Sequence, residues 1–160
     1  MVAIDGGEAG AKLVVGLAPV LPSDALTIVV NTGDDDSFHG LHISPDLDTV
    51  SYALAGMTNR DTGWGVADDS FRTLSALDRL GAETWFKLGD VDMATHIRRT
   101  ELIRAGMTLS EVTRELTTRL DIAHRVVPMS DDPVRTVILT DGDEMSFQEY
   151  FVEHQCEPCI

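Results

Sequence analysis

Residues 26–49 constrain this chain more than any other stretch. A short β-branched run, Leu26-Thr27-Ile28-Val29-Val30, reads as a buried strand. It breaks at once into Asn31-Thr32-Gly33 and three consecutive aspartates, Asp34, Asp35 and Asp36. Ser44 then offers an N-cap and Pro45 a first helical position, so a helix is expected over residues 45–55. Asp46 and Asp48 fall in its first turn, where negative charge is favoured. Acids therefore gather between the end of a strand and the mouth of a helix. Adjacent aspartates repel one another and need solvent, a cation or a basic partner. Two readings stay open. One is a solvated acidic loop with a helix cap; the other is a set of hard oxygen ligands for a magnesium ion that also holds phosphate.

Upstream, Val2-Ala3-Ile4 leads into glycines and then an apolar-periodic segment expected to be helical to about residue 20. A strand, a glycine turn, a helix and the strand at 26–30 form a βαβ opening. The chain is therefore expected to be α/β, one domain over residues 1–160, with a Rossmann-like open sheet and helices on both faces. Gly6, Gly7 and Gly10 could let backbone N–H groups approach a phosphate, with Lys12 as counter-charge. The spacing is neither the dinucleotide fingerprint nor a P-loop, and Asp5 and Glu8 oppose an anion there.

Downstream, a helix is expected over residues 70–80 with Phe71, Leu74 and Leu77 inward. In Thr62-Gly63-Trp64-Gly65 the tryptophan is read as a packed tether for its loop in preference to a stacking platform. Lys87 precedes Asp90 and Asp92, as a surface ion pair or as a cation facing an anionic substrate. His96 is read as structural rather than as a general acid or base. Thr108 to Glu111 has the form of a capping box, and residues 125–129 that of a strand. Residues 134–140 and 145–152, joined through Asp141-Gly142, read as a β-hairpin near the C-terminus.

Charge narrows the partners. Asp and Glu outnumber Lys and Arg by 27 to 12, giving a formal charge of −15. Nucleic acid and anionic membrane both need clustered cations, so neither is expected as a partner. No apolar run reaches membrane-span length and no signal peptide is evident, so a cytoplasmic location is expected. The lone pair Cys156 and Cys159 has no companion ligands for a zinc site and is taken as incidental. The sequence stops just after an apolar element, as a piece of a larger protein would.

Several stretches together resemble the CofD family of 2-phospho-lactate transferases. They are Gly6-Gly7-x-x-Gly10-Ala11-Lys12-Leu13, Val29-Val30-Asn31-Thr32-Gly33-Asp34-Asp35 and Leu41-His42-Ile43-Ser44-Pro45-Asp46-Leu47-Asp48-Thr49. Gly63-Trp64-Gly65, Lys87-Leu88-Gly89-Asp90-x-Asp92-x-Ala94-Thr95-His96 and Phe147-Gln148-Glu149-Tyr150-Phe151-Val152 follow in family order. The resemblance covers the N-terminal half of the family fold. It implies transfer of a phospholactyl or phosphoenolpyruvyl group from a guanosine diphosphate adduct to the deazaflavin precursor Fo. The resemblance further implies that GMP is released, magnesium is required and coenzyme F-420 is built, by a homodimer. By the same resemblance Asp48 and Lys87 bind Fo, and Asp34 and Asp48 are the catalytic acids. Asp34, Asp35, Asp46 and Asp48 surround the metal, while Gly6, Gly7, Gly10 and Lys12 form the donor phosphate loop. A related superfamily branch, gluconeogenesis-factor-like proteins, implies the alternative of a non-catalytic nucleotide-sugar binder. This chain departs from the family pattern at Glu8, Ala9 and Val91, where Thr or Val, Gly, and Arg are usual.

Overall fold

Ala3, Ile28 and Val126 stand in one row across three parallel strands, and all three are buried. In the computed structural model, which describes residues 1–59 and 61–160, these strands are β1 (Val2–Asp5), β2 (Thr27–Val30) and β5 (Arg125–Pro128). Their order is β1-β2-β5. Because side chains alternate along a strand, the row fixes which face meets the helices. Ala11 and Val14 come from α1 (Gly7–Leu17), Leu47 and Val50 from α2 (Pro45–Leu54), and Leu109 from α5 (Leu109–Arg119). Together they close the main core over that face. On the other face of β1, Val2 and Ile4 are 64% and 86% exposed.

The α/β class, the parallel sheet flanked by helices and the C-terminal hairpin agree with the reading from sequence. Boundaries differ for local reasons. Helix α1 ends at Leu17 rather than near residue 20, because Pro19 has no N–H to continue the ladder and its ring crowds the preceding turn. The acidic loop after β2 contains a hairpin that the sequence reading missed, β3 (Asp36–Phe38) with β4 (Leu41–Ile43). Its two-residue turn places His39 and Gly40 at positive φ, the hand that suits a tight hairpin.

Two further helices follow, and the second of them lines the site. In α3 (Arg72–Arg79), Leu74 points inward, but Phe71 lies just outside the helix as its N-cap and is 44% exposed. Helix α4 (Asp90–Arg104) follows Gly89. The two helix starts cap each other: Asp90 accepts from the backbone N–H of Arg72 and Thr73, and Asp69 accepts from those of Val91 and Asp92. The Ser70 hydroxyl and the Thr73 amide hold the exposed Asp90 carboxyl down at about 2. The capping box of α5 forms as expected between Thr108 and Glu111. Strand β6 (Val137–Leu139) pairs with β7 (Glu144–Ser146), which stops well short of residue 152. There Ser146 and Glu149 exchange backbone and side-chain hydrogen bonds, a second capping box, and a π-helical turn (Glu149–Glu153) begins. No helix among the described residues is long and apolar enough to cross a membrane.

Two glycines of α1 give opposite expectations. A Cβ on Gly16 meets nothing, whereas one on Gly10 would overlap the buried Asp5 carboxylate at 1.2 Å. Gly16→Ala should stabilise by roughly 0.5–1 kcal/mol, the usual gain in a helix. Gly10→Ala should destabilise instead, as read by urea unfolding; a gain at both positions would show that Asp5 does not lie under this turn.

Candidate active site

A cavity of about 340 Å³ opens where the carboxyl end of β2 meets the starts of α1, α2 and α4. Asp34, Asp46, Asp48 and Asp92 line one part of it, and Trp64, Phe86, Phe147 and Phe151 another. Lys87 stands exposed on its wall and makes no ion pair among the described residues. Trp64 is 46% exposed here, so it is a wall of the cavity and not the packed tether expected.

The acidic end is built around Asn31. Its side-chain Nδ2 donates to Asp34 Oδ1 at 3.1 Å and to Asp46 Oδ2 at 3.0 Å. Asp46 also accepts from the Gly7 backbone N–H at 2.7 Å, tying α2 to the first turn of α1. Gln148, brought in by the C-terminal segment, donates to Asp34 Oδ2 at 3.3 Å. These neutral donors do not balance the charge. Burial pushes the Asp34 carboxyl up to about 7, and the charges of Asp46, Asp35 and Asp48 add to the shift. Asp5 lies close by, buried with neither carboxylate oxygen hydrogen-bonded, and burial raises it as well.

Around Arg99 the acids have donors or a cation against them. Arg99 and Asp48 are both buried, and the guanidinium holds both oxygens of the carboxylate, Nη1 to Oδ2 at 3.0 Å and Nη2 to Oδ1. Burial opposes the Arg99 charge, but Asp48 outweighs it and the guanidinium is raised above its ordinary value. His96 is buried beside this pair, with Nδ1 3.1 Å from Arg99 Nη1 and Nε2 3.3 Å from Asp92 Oδ1. The Tyr52 hydroxyl donates to the same Asp92 oxygen at 2.7 Å.

The structure thus brings Gly7, Asp34, Asp46, Asp48 and Lys87 to one cavity, whereas Gly6, Gly10, Lys12 and Asp35 do not line it. Asp35 turns away from the cavity, where Ser44 Oγ donates to its Oδ2 and His42 Nε2 stands 3.0 Å from it. In the glycine loop, Gly6 backs onto Asp46, the Gly7 N–H is already given to Asp46, and Gly10 covers Asp5. Lys12 is exposed and does not line the cavity; it pairs at 3.0 Å with Glu8, which does. The reading from sequence missed Arg99, Tyr52, Asn31 and Gln148. One signal was available: Asp92, His96 and Arg99 are spaced to share a face of one helix, as are Asp48 and Tyr52.

For a cation, the all-oxygen set of Asp34 and Asp46 suits magnesium, and the raised Asp34 is a carboxylate short of positive charge. Asp48, Asp92 and His96 also place one ligand atom each within 4.8 Å of the others. Arg99 already occupies both Asp48 oxygens, so a second cation there would face a buried guanidinium.

A family model described as 2-phospho-L-lactate transferase CofD matches residues 1–160, and the chain belongs to the CofD family. It is 42% identical to the 2-phospho-L-lactate transferase of Methanococcoides burtonii, over 99% of this chain and 52% of that protein. To the protein of the same name in Methanosarcina acetivorans it is 44% identical, over 100% of this chain and 52% of the relative. To the phosphoenolpyruvate transferase of Streptomyces griseus it is 44% identical, over 96% of this chain and 50% of the relative. The chain spans about half the length of the curated relatives it matches.

Asp34 makes stability fall as pH rises. Its folded value, about 7, lies above the ordinary 3.8, so the folded state holds the proton more tightly between them. The contribution is complete below the lower value and lost on rising through the upper one. In urea unfolding between pH ~5 and pH ~7, the native chain should lose stability relative to Asp34→Asn by up to roughly 1.4 kcal/mol per pH unit. Parallel profiles for the two proteins would contradict the raised carboxyl.

Proposed function

We propose that this chain carries the acceptor pocket and the acidic metal-binding corner of a CofD-type transferase. The reaction moves a phospholactyl or phosphoenolpyruvyl group from a guanosine diphosphate adduct to the side-chain hydroxyl of Fo, in coenzyme F-420 biosynthesis. The alcohol oxygen bonds to the phosphorus bearing the three-carbon acid, the pyrophosphate link breaks, GMP leaves and the hydroxyl proton departs. One observation supports this most: a single cavity, in a chain of this family, joins aromatic walls to a cluster of acids and an exposed lysine.

Each wall has a job in that reaction. The faces of Trp64, Phe86, Phe147 and Phe151 suit a flat, apolar ring, and exclude water around it. Lys87 faces the polar atoms or negative charge of a bound substrate. Asp48, held rigid by Arg99, binds and orients Fo. Asp34 and Asp46 would hold a magnesium ion, whose chemistry when bound is to neutralise charge on the phosphates. Gly7 keeps Asp46 in place for that role rather than meeting the donor itself.

A fluorescence titration with Fo tests the proposal. Fo should bind saturably and a nucleotide sugar should not compete, and Lys87→Ala should weaken Fo about 10-fold, the worth of one charged hydrogen bond. Binding of the nucleotide sugar with no response to Fo would overturn it in favour of the non-catalytic relative.

A further inference from the structure

Asp92 has no part in the mechanism above, yet it faces the same cavity. Its side chain is 15% exposed, and its two oxygens have different surroundings. Oδ1 accepts from the Tyr52 hydroxyl and lies beside His96, whereas Oδ2 takes no hydrogen bond from the described residues. Burial works against its charge, but His96, Tyr52 and Arg99 together hold the carboxyl below its ordinary value.

The state of His96 follows from its neighbour. A guanidinium has donors only, so the Arg99 Nη1 at 3.1 Å requires a lone pair on His96 Nδ1. The ring proton then sits on Nε2, which is shielded from solvent and directed at Asp92. His96 in this form turns its Nε2 N–H toward Asp92 Oδ1, 3.3 Å away, and cannot accept a hydrogen bond at that atom. It is a brace for Asp92, and Arg99 sets its tautomer.

An ionised carboxylate with one oxygen braced and one open takes a ligand that donates. A cation is disfavoured, because the buried Arg99 guanidinium already holds both oxygens of Asp48, the carboxylate that would share it. A neutral hydroxyl donates without adding charge. We infer that Asp92 receives a hydroxyl of the acceptor alcohol, positioned by the Tyr52 hydroxyl and by His96 in the tautomer that Arg99 imposes. The inference rests on the reading of this cavity as an acceptor site. Asp92 is the residue in contact with substrate; Tyr52, His96 and Arg99 are positioning residues.

The test compares Fo with a 10-methyl-5-deazaflavin, which has the ring and none of the side-chain hydroxyls, by fluorescence titration of the whole chain. The native protein should prefer Fo, and Asp92→Asn should reduce Fo affinity about 10-fold while leaving the methyl analogue unchanged. An undiminished preference in the variant, or an equal loss for both compounds, would overturn the inference while leaving the acceptor reading intact. Failure of both compounds to bind the native protein would instead remove the acceptor reading, and the inference with it. Nitrogen-15 NMR of the unmodified chain gives a readout free of substrate and of any variant's folding. His96 should show a protonated Nε2 and a bare Nδ1, and the reverse tautomer would overturn the brace.

Discussion

The buried ion pair of Arg99 with Asp48 is the contact on which the rest of the site depends. Both side chains are more than nine-tenths buried, and the two come from different helices, α4 and α2. Such a pair adds little net stability over an apolar replacement, but removing one partner strands a charge and costs about 3–5 kcal/mol. The guanidinium is also engaged elsewhere. It reaches the His42 carbonyl at 3.4 Å and His96 Nδ1 at 3.1 Å, so one residue locates β4, α2 and the face of α4 that lines the cavity. Asp48 therefore stands at a fixed place before any ligand arrives.

The two ends of the cavity differ in how their charge is met. Around Arg99 every acid has a donor or a cation against it. Around Asn31 the donors are all neutral, and Asp34 responds by holding its proton up to about 7. A preorganised, charged end positions a ligand at little cost in reordering. An end short of positive charge is a place for a cation to enter, bringing phosphate with it. Aromatic walls line the same cavity, and a reaction between an alcohol and a diphosphate needs both kinds of surroundings.

Much of this was legible in the residues because it is local. The β-branched run at 27–30 and the Ser-Pro start of α2 announced themselves by pattern, and so did the Thr108–Glu111 cap. They put Asp34, Asp46 and Asp48 at one corner of the fold before any coordinates. What was hidden depends on side-chain direction or distant partners. Asp34 and Asp35 are neighbours in sequence, yet one faces the cavity and the other faces Ser44 and His42, since the hairpin that turns them apart was not foreseen. Arg99 read as one basic residue among others on a helix, because its partner lies 51 residues away. The glycine turn has the look of a phosphate loop, but a carboxylate from α2 had already taken its N–H. Ser146 and Glu149 form a capping box that was there to be read, masked by an apolar run taken for a strand.

The most direct measurement is a double-mutant cycle on stability with Asp48→Asn, Arg99→Leu and the two combined, followed by urea unfolding. A buried pair of this kind predicts that each single change is strongly destabilising and that the double variant recovers part of the loss, with a coupling of roughly 2–3 kcal/mol. Losses that simply add, within about 0.5 kcal/mol, would mean that Arg99 does not hold Asp48, and the site would lose its fixed point.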